Sequence, residues 1–131
     1  MFYLDSSAIV KLCVTEAEST SLKDMLSEEP RLTSSALALT EVIRAVRPHG
    51  QAAVDEALST LVTFDLIEIG RPLLNSAAAL QPARLRTLDA IHLASALLLE
   101  GDCEGVITYD ARMAEAARAA GLAVFAPGAE G

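Results

Sequence analysis

Two aspartates stand just after short hydrophobic runs that are typical of buried strands. Asp5 follows the first run and Asp110 follows the fourth. Open α/β sheets place their ligand sites at such strand ends, so both carboxylates are candidates for catalytic chemistry. Each also has a plainer explanation, because Asp is a favoured N-cap that stabilises the next helix by about 1 kcal/mol. Since Ser6 and Ser7 can cap the first helix instead, we expect Asp5 to be available for another role.

Two further acids interrupt helix patterns that are otherwise mostly apolar. Glu41 lies among apolar neighbours, and Asp89 stands in the first turn of the most apolar predicted helix. The helix dipole can explain Asp89, and a pair with Arg44 can explain Glu41. Neither explains why four acids occur at two strand ends and on two apolar helices. If they converge, a divalent cation would relieve their repulsion, and oxygen ligands favour Mg²⁺ or Mn²⁺ over zinc.

Three other polar side chains are expected near these acids. His92 follows Asp89 by three residues and could ligate a metal, although a lone His on an apolar helix is more often packed or hydrogen-bonded. Ser7 and Thr108 carry hydroxyls that could contact substrate or a metal-bound water. Capping of backbone groups is the more common use of such hydroxyls.

The elements that must position these residues alternate between strands and helices along the chain. Strands are predicted at residues 2–4, 31–33, 66–69, 105–108 and 122–125, and helices at residues 8–14, 17–27, 36–47, 51–64, 72–80, 88–100 and 112–120. This alternation predicts an α/β fold with a five-stranded, mostly parallel sheet covered by helices on both faces. The 131 residues suit one core, so we expect a single domain over residues 1–131.

Composition limits the class of protein further. Although 52% of the residues are hydrophobic, the longest apolar run is Leu122–Ala126, whereas a membrane span needs about 20 residues. The early Asp5 and the lack of a basic first segment argue against a secretory signal, which predicts a cytoplasmic protein without membrane contact. Cys13 and Cys103 have no metal-binding or paired spacing and are expected to be reduced thiols.

The charge balance bears on nucleic-acid binding. A net charge of −8 disfavours polyanions without excluding them, because eight of the ten bases are Arg, whose planar fork suits phosphate. Five arginines lie within six positions of a candidate acid and could contact phosphate or form ordinary surface ion pairs. These are Arg44, Arg47, Arg84, Arg86 and Arg112.

Four segments carry a resemblance to a known family. They are DSSAIVKL at residues 5–12, TEV at residues 40–42, LRTLDAIHLA at residues 85–94 and TYD at residues 108–110. Each is weak alone, but in this order and at this spacing they resemble a PIN-domain ribonuclease, specifically the VapC toxins of bacterial toxin–antitoxin pairs. The resemblance covers essentially the whole chain.

The resemblance implies a Rossmann-like PIN fold and an endoribonuclease that depends on Mg²⁺ or Mn²⁺. The family's metal-binding acids match Asp5, Glu41, Asp89 and Asp110, with Glu41 acting directly or through water, and Ser7 matches a hydroxyl beside the metal. The resemblance also implies an RNA substrate, a VapB-like antitoxin and a homodimer. The additional acid that some relatives carry after Asp110 is missing, which predicts that a second metal binds weakly or only with substrate.

Other functions on such a sheet need residues that this chain lacks. A phosphoacceptor receiver needs a Lys after the last strand, whereas Lys11 and Lys23 are the only lysines. A haloacid-dehalogenase phosphatase needs a second Asp two residues after Asp5, where Ser7 stands. A catalytically silent PIN-like module that binds a basic partner through its acidic cleft is the remaining alternative, and metal-dependent RNA cleavage would separate it from a nuclease.

Overall fold

The computed structural model describes residues 1–29 and 31–129, and in this part of the chain it contains five strands and seven α-helices. The strands are β1 (Phe2–Leu4), β2 (Leu32–Ser35), β3 (Asp65–Ile67), β4 (Gly105–Ile107) and β5 (Val124–Phe125). The helices are α1 (Ser6–Cys13), α2 (Ser19–Leu26), α3 (Ala38–Val46), α4 (Gln51–Leu61), α5 (Arg71–Ala78), α6 (Thr87–Leu97) and α7 (Ala111–Ala119). A 3₁₀ turn, Arg47–His49, follows α3 where Pro48 stops the α-helix.

The strands form one parallel sheet in the order β3-β2-β1-β4-β5. The central strand β1 pairs on one side with β2 and on the other with β4, where Leu4 is opposite Ile107. This confirms the predicted five-stranded α/β architecture. Because the strands are parallel, the residues that follow β1 and β4 emerge at the same edge of the sheet.

Hydrophobic side chains cover both faces of the sheet. Leu4 packs with Ile9 and Val42 in one buried cluster, whereas Tyr3 packs with Leu93 in another. Neighbouring side chains of a strand point to opposite faces, so these two residues of β1 divide the core between α1, α3 and α4 on one face and α6 and α7 on the other. The full burial of Tyr3 and Leu4 therefore fixes both helical layers against the same strand.

Several predicted boundaries shift by a few residues. Strand β2 continues to Ser35 because Ser34 and Ser35 pair with Leu66 and Ile67 of β3. Helix α6, predicted from residue 88, begins one residue earlier at Thr87, after the extended Arg86. Both cysteines are free thiols, as expected. Among the described residues no helix has the length and apolar character needed to cross a bilayer.

Candidate active site

Asp5 lies at the end of β1 and is only 4% exposed. Its Oδ1 accepts a hydrogen bond from the backbone N–H of Ala8 at 3.1 Å, so Asp5 is the N-cap of α1. The expectation that Ser6 and Ser7 would cap this helix was therefore wrong. The cause is the backbone, because Asp5 is still extended whereas the helix already begins at Ser6.

The hydroxyls of Ser7 and Thr108 hold the two oxygens of Asp5. Ser7 Oγ donates to Oδ1 at 2.6 Å, and Thr108 Oγ1 donates to Oδ2 at 2.5 Å. The same hydroxyls accept hydrogen bonds from the backbone N–H groups of Tyr109 and Asp110, and the bond to Ser7 joins the segment before α7 to α1. Burial raises the pKa of Asp5, and the hydrogen bonds from Ser7 and Thr108 oppose this effect. Both hydroxyls thus position a candidate site carboxylate.

Glu41 of α3 is held from two sides. Its Oε1 accepts a hydrogen bond from Ser6 Oγ at 2.6 Å and lies 2.7 Å from His92 Nε2. Burial disfavours the ionised carboxyl, but the hydrogen bonds from His92 and Ser6 outweigh it, and the pKa of Glu41 is lowered. The pair with Arg44 predicted from sequence is not formed among the described residues, and Arg44 is exposed.

His92 connects Glu41 to the core. The imidazole is 3% exposed, and its Nδ1 lies 2.7 Å from the hydroxyl of Tyr3. Burial raises the pKa of Tyr3 far above its ordinary value, so Tyr3 keeps its proton. A proton on Nε2 satisfies all three groups, since Tyr3 then donates to Nδ1 and His92 donates to Glu41. The interpretation of His92 as a packed, hydrogen-bonded residue is confirmed.

Asp89 and Asp110 complete the acidic group. Asp110 caps α7, because its Oδ1 accepts from the backbone N–H groups of Arg112 at 2.8 Å and Met113 at 3.3 Å. Asp89 is the third residue of α6, and its pKa is raised by burial and then by the carboxylates of Asp110, Asp5 and, more weakly, Glu41. The four acids predicted from sequence are therefore close enough to interact.

The donor chemistry of this group suits a hard divalent cation. Asp89 is repelled by the carboxylates of Asp110, Asp5 and Glu41, and neither Asp89 nor Oδ2 of Asp110 has a hydrogen-bond partner among the described residues. In that same part of the chain, no three Asp, Glu, His or Cys side chains are already arranged around a common metal position. The acids fit such an ion in type and charge, and their assignment as its ligands stays a prediction.

Sequence reasoning missed the supporting roles of Ser6 and Tyr3. Ser6 donates to Glu41, and Tyr3 contacts His92 across 89 residues of sequence. Tyr3 lies in an apolar run that is typical of a buried strand, and no local pattern marks its hydroxyl as a partner of a histidine. Ser6 carries a weak signal, since it adjoins a candidate acid, but its residue type is equally typical of a helix cap.

The geometry agrees with comparisons to known proteins. A family model described as the PIN domain matches residues 2–119. The chain belongs to the PIN-domain family. Among the relatives of this PIN domain, Ribonuclease VapC46 of Mycobacterium tuberculosis is 47% identical over 125 residues, covering 95% of this chain and 96% of the relative. Ribonuclease VapC35 of the same species is 44% identical, covering 98% of each chain. The resemblance to VapC ribonucleases is thereby confirmed.

Solved structures resemble this PIN domain in fold. The crystal structure of Mycobacterium tuberculosis VapC20, described as a toxin that cleaves the sarcin–ricin loop, matches with a TM-score of 0.72 and 18% identity, covering 97% of this chain and 100% of that one. A toxin–antitoxin complex from Klebsiella pneumoniae matches with a TM-score of 0.69 and 23% identity, covering 87% of this chain and 90% of that one. At such identities the likeness concerns the fold.

Proposed function

We propose that this PIN domain is the toxin of a VapBC-type toxin–antitoxin pair and hydrolyses RNA phosphodiester bonds with Mg²⁺ or Mn²⁺. The observation that carries the proposal is that Asp89 of α6 lies near enough to Asp110, Asp5 and Glu41, which come from three other segments, for their charges to raise its pKa. Asp89 experiences the charge of the other three, which is the arrangement a dication would stabilise. The near full-length similarity to proteins named ribonucleases supports the reaction class.

The proposed hydrolysis needs an attacking water that can lose a proton and groups that offset the negative charge developing on the phosphate. When bound, a divalent cation lowers the pKa of water and offsets the charge that develops on the phosphate. Asp5 offers a carboxylate fixed by Ser7, Thr108 and the N-terminus of α1, so little reorganisation is needed. Glu41 is kept ionised by its hydrogen bonds, which suits it to accept a hydrogen bond from the attacking water and orient it.

The proposed substrate is single-stranded or looped RNA. Its splayed backbone can enter an edge site that a regular duplex cannot reach. The proposed partners are a VapB-like antitoxin and a second copy of the chain. A structural neighbour described as a toxin–antitoxin complex supports the first, and light scattering of the purified protein tests the homodimer. We also propose that residues 1–131 form one domain, since β5, beyond the matched segment, pairs with β4.

The decisive experiment measures RNA cleavage by the purified protein with Mg²⁺, with Mn²⁺ and in EDTA. We expect cleavage only with a cation, and a loss of orders of magnitude in Asp5→Asn and Asp89→Asn. Asp102→Asn is the matched control, because it makes the same change at an exposed position in the loop before β4. Undiminished cleavage in EDTA would overturn metal dependence. A protein that binds a basic partner and never cleaves RNA would instead support the silent interaction module.

A further inference from the structure

A cavity of about 440 Å³ lies between the segment that leads into α6 and one side of α7. Arg84 and Arg86 line it from the first segment, and Arg112 and Glu115 line it from α7. Its volume is within the range of about 300–1,000 Å³ that small ligands occupy. We call it the arginine pocket.

The arginine pocket is positive in a strongly negative protein. It gathers three guanidinium groups against the single carboxylate of Glu115, whereas the whole chain carries a net charge of −8. Arg84, Arg86 and Arg112 are exposed, and none lies within ion-pair distance of a carboxylate in the described part of the chain. Their donors are therefore free to bind an anion.

The pocket adjoins the acidic group. Arg86 directly precedes α6, whose third residue is Asp89, and Arg112 is the second residue of α7, with its backbone N–H bound to Asp110. The side chains of Leu85 and Ala116 give the pocket an apolar wall. An anion bound here would thus lie beside the proposed cleavage site, with a surface against which a ribose or base can pack.

We propose that the arginine pocket binds a backbone phosphate of single-stranded RNA, one that flanks the bond to be cleaved. The inference rests on the proposed ribonuclease activity and assigns its substrate-anchoring residues. Of the five arginines singled out in the sequence, it selects Arg84, Arg86 and Arg112. It leaves out Arg44 and Arg47, which do not line this cavity. Phosphate is preferred over the carboxylates of an acidic protein segment because three forked guanidinium groups match its several oxygens.

Binding of a short fluorescent single-stranded RNA, measured by anisotropy in EDTA over a range of salt concentrations, tests the proposal without cleavage. The triple variant Arg84→Gln, Arg86→Gln, Arg112→Gln is expected to bind at least about tenfold more weakly. The slope of its log K against log[salt] should be shallower by about 0.7 for each phosphate that the variant no longer neutralises. Arg118→Gln, an exposed position on the same helix outside the cavity, is the single-charge control for Arg112→Gln. Under cleavage conditions the triple variant should raise KM much more than it lowers kcat.

The outcomes separate this inference from the proposed function. If the wild type cleaves RNA with metal and the triple variant keeps the wild-type affinity and salt slope, phosphate binding in the arginine pocket is refuted. The proposed ribonuclease activity is then unaffected. If RNA binding depends on the arginine pocket but the protein never cleaves RNA, the pocket proposal is supported and the ribonuclease activity is refuted. If the triple variant loses antitoxin binding but keeps RNA binding, the pocket binds a protein partner and the proposal is refuted. It is also refuted if the wild type shows no measurable RNA binding at low salt. Thermal melting of each variant controls for folding.

Discussion

His92 Nε2 lies 2.7 Å from Glu41 Oε1, although the two residues belong to different helices and are 51 positions apart. The opposite nitrogen of the same ring contacts the hydroxyl of Tyr3, which is fully buried. A side chain of the central strand therefore determines the orientation of a histidine, and the histidine determines that of an acid at the active-site edge. The rigidity of the core is transmitted to Glu41 through two hydrogen bonds.

We expect His92→Leu to lower kcat by about 10- to 100-fold with a small change in KM, because Glu41 loses the donor that orients it. His92→Gln should recover part of the rate, since its amide can donate to the same carboxylate. Steady-state kinetics on RNA measure both parameters, and melting of Tyr3→Phe measures the stability lost when His92 Nδ1 has no donor, about 1–3 kcal/mol. Full kcat in His92→Leu would refute the positioning role.

Asp89→Asn should stabilise the metal-free protein while abolishing cleavage. Asp89 is repelled by Asp110, Asp5 and Glu41 and has no hydrogen bond among the described residues, so losing its charge should gain about 0.5 kcal/mol after solvent screening. Asp5→Asn should instead destabilise the fold by about 1–3 kcal/mol, because an amide nitrogen would face a hydroxyl donor or an N–H. Thermal unfolding in EDTA distinguishes the two, and a lower melting temperature for Asp89→Asn would contradict the repulsion.

The advantage of Asp89→Asn should depend on pH. Because the folded-state pKa of Asp89 is raised, the wild-type carboxyl contributes stability below its unfolded pKa of about 3.9 and loses it as pH rises through the folded value. The variant should therefore match the wild type near a pH of about 3.5 and become relatively more stable towards a pH of about 7. Denaturant unfolding in EDTA across this range measures the difference in the free energy of unfolding. An advantage of the variant that shrinks with rising pH would contradict a raised pKa of Asp89 in the folded protein.

A basic side chain of an antitoxin is expected to enter the group formed by Asp5, Glu41, Asp89 and Asp110. A guanidinium can bridge two carboxylates and compete with the cation for them. Raising Mg²⁺ should then weaken inhibition, and Asp89→Asn should lower antitoxin affinity without disturbing apolar contacts elsewhere. Calorimetry with purified antitoxin at several Mg²⁺ concentrations measures this affinity. If neither Mg²⁺ nor Asp89→Asn changes the affinity, the antitoxin inhibits at another surface.

Local sequence patterns were sufficient to predict the sheet and to single out the four acids as candidates. The alternation of strands and helices determines which residues follow the carboxyl ends of β1 and β4, and parallel pairing brings Asp5 and Asp110 to one edge. The acids on α3 and α6 interrupt apolar helix faces. Burying an unpaired charge there is costly, so each acid predicts a partner or a bound ion.

The hydrogen bonds within the site could not be predicted in the same way. Whether Asp5 or Ser6 caps α1 depends on the backbone angle at which the chain leaves β1, and adjacent Asp and Ser residues have nearly equal capping preference. The contact of Tyr3 with His92 depends on the packing of α6 over β1. Grouping of Arg84 and Arg86 with Arg112 likewise requires the tertiary arrangement of α6 and α7.

The pairing of β1 with β4 has a consequence for synthesis of the protein. Asp5 depends on Thr108, 103 residues later, for one of its hydrogen bonds, and Asp110 lies beyond that again. A growing chain on the ribosome has its first strand and two of its acids early, yet it cannot assemble the acidic edge until β4 and the start of α7 have emerged. Products of interrupted translation that lack Thr108 and Asp110 would therefore be harmless to the RNA around them, because they cannot assemble the acidic edge.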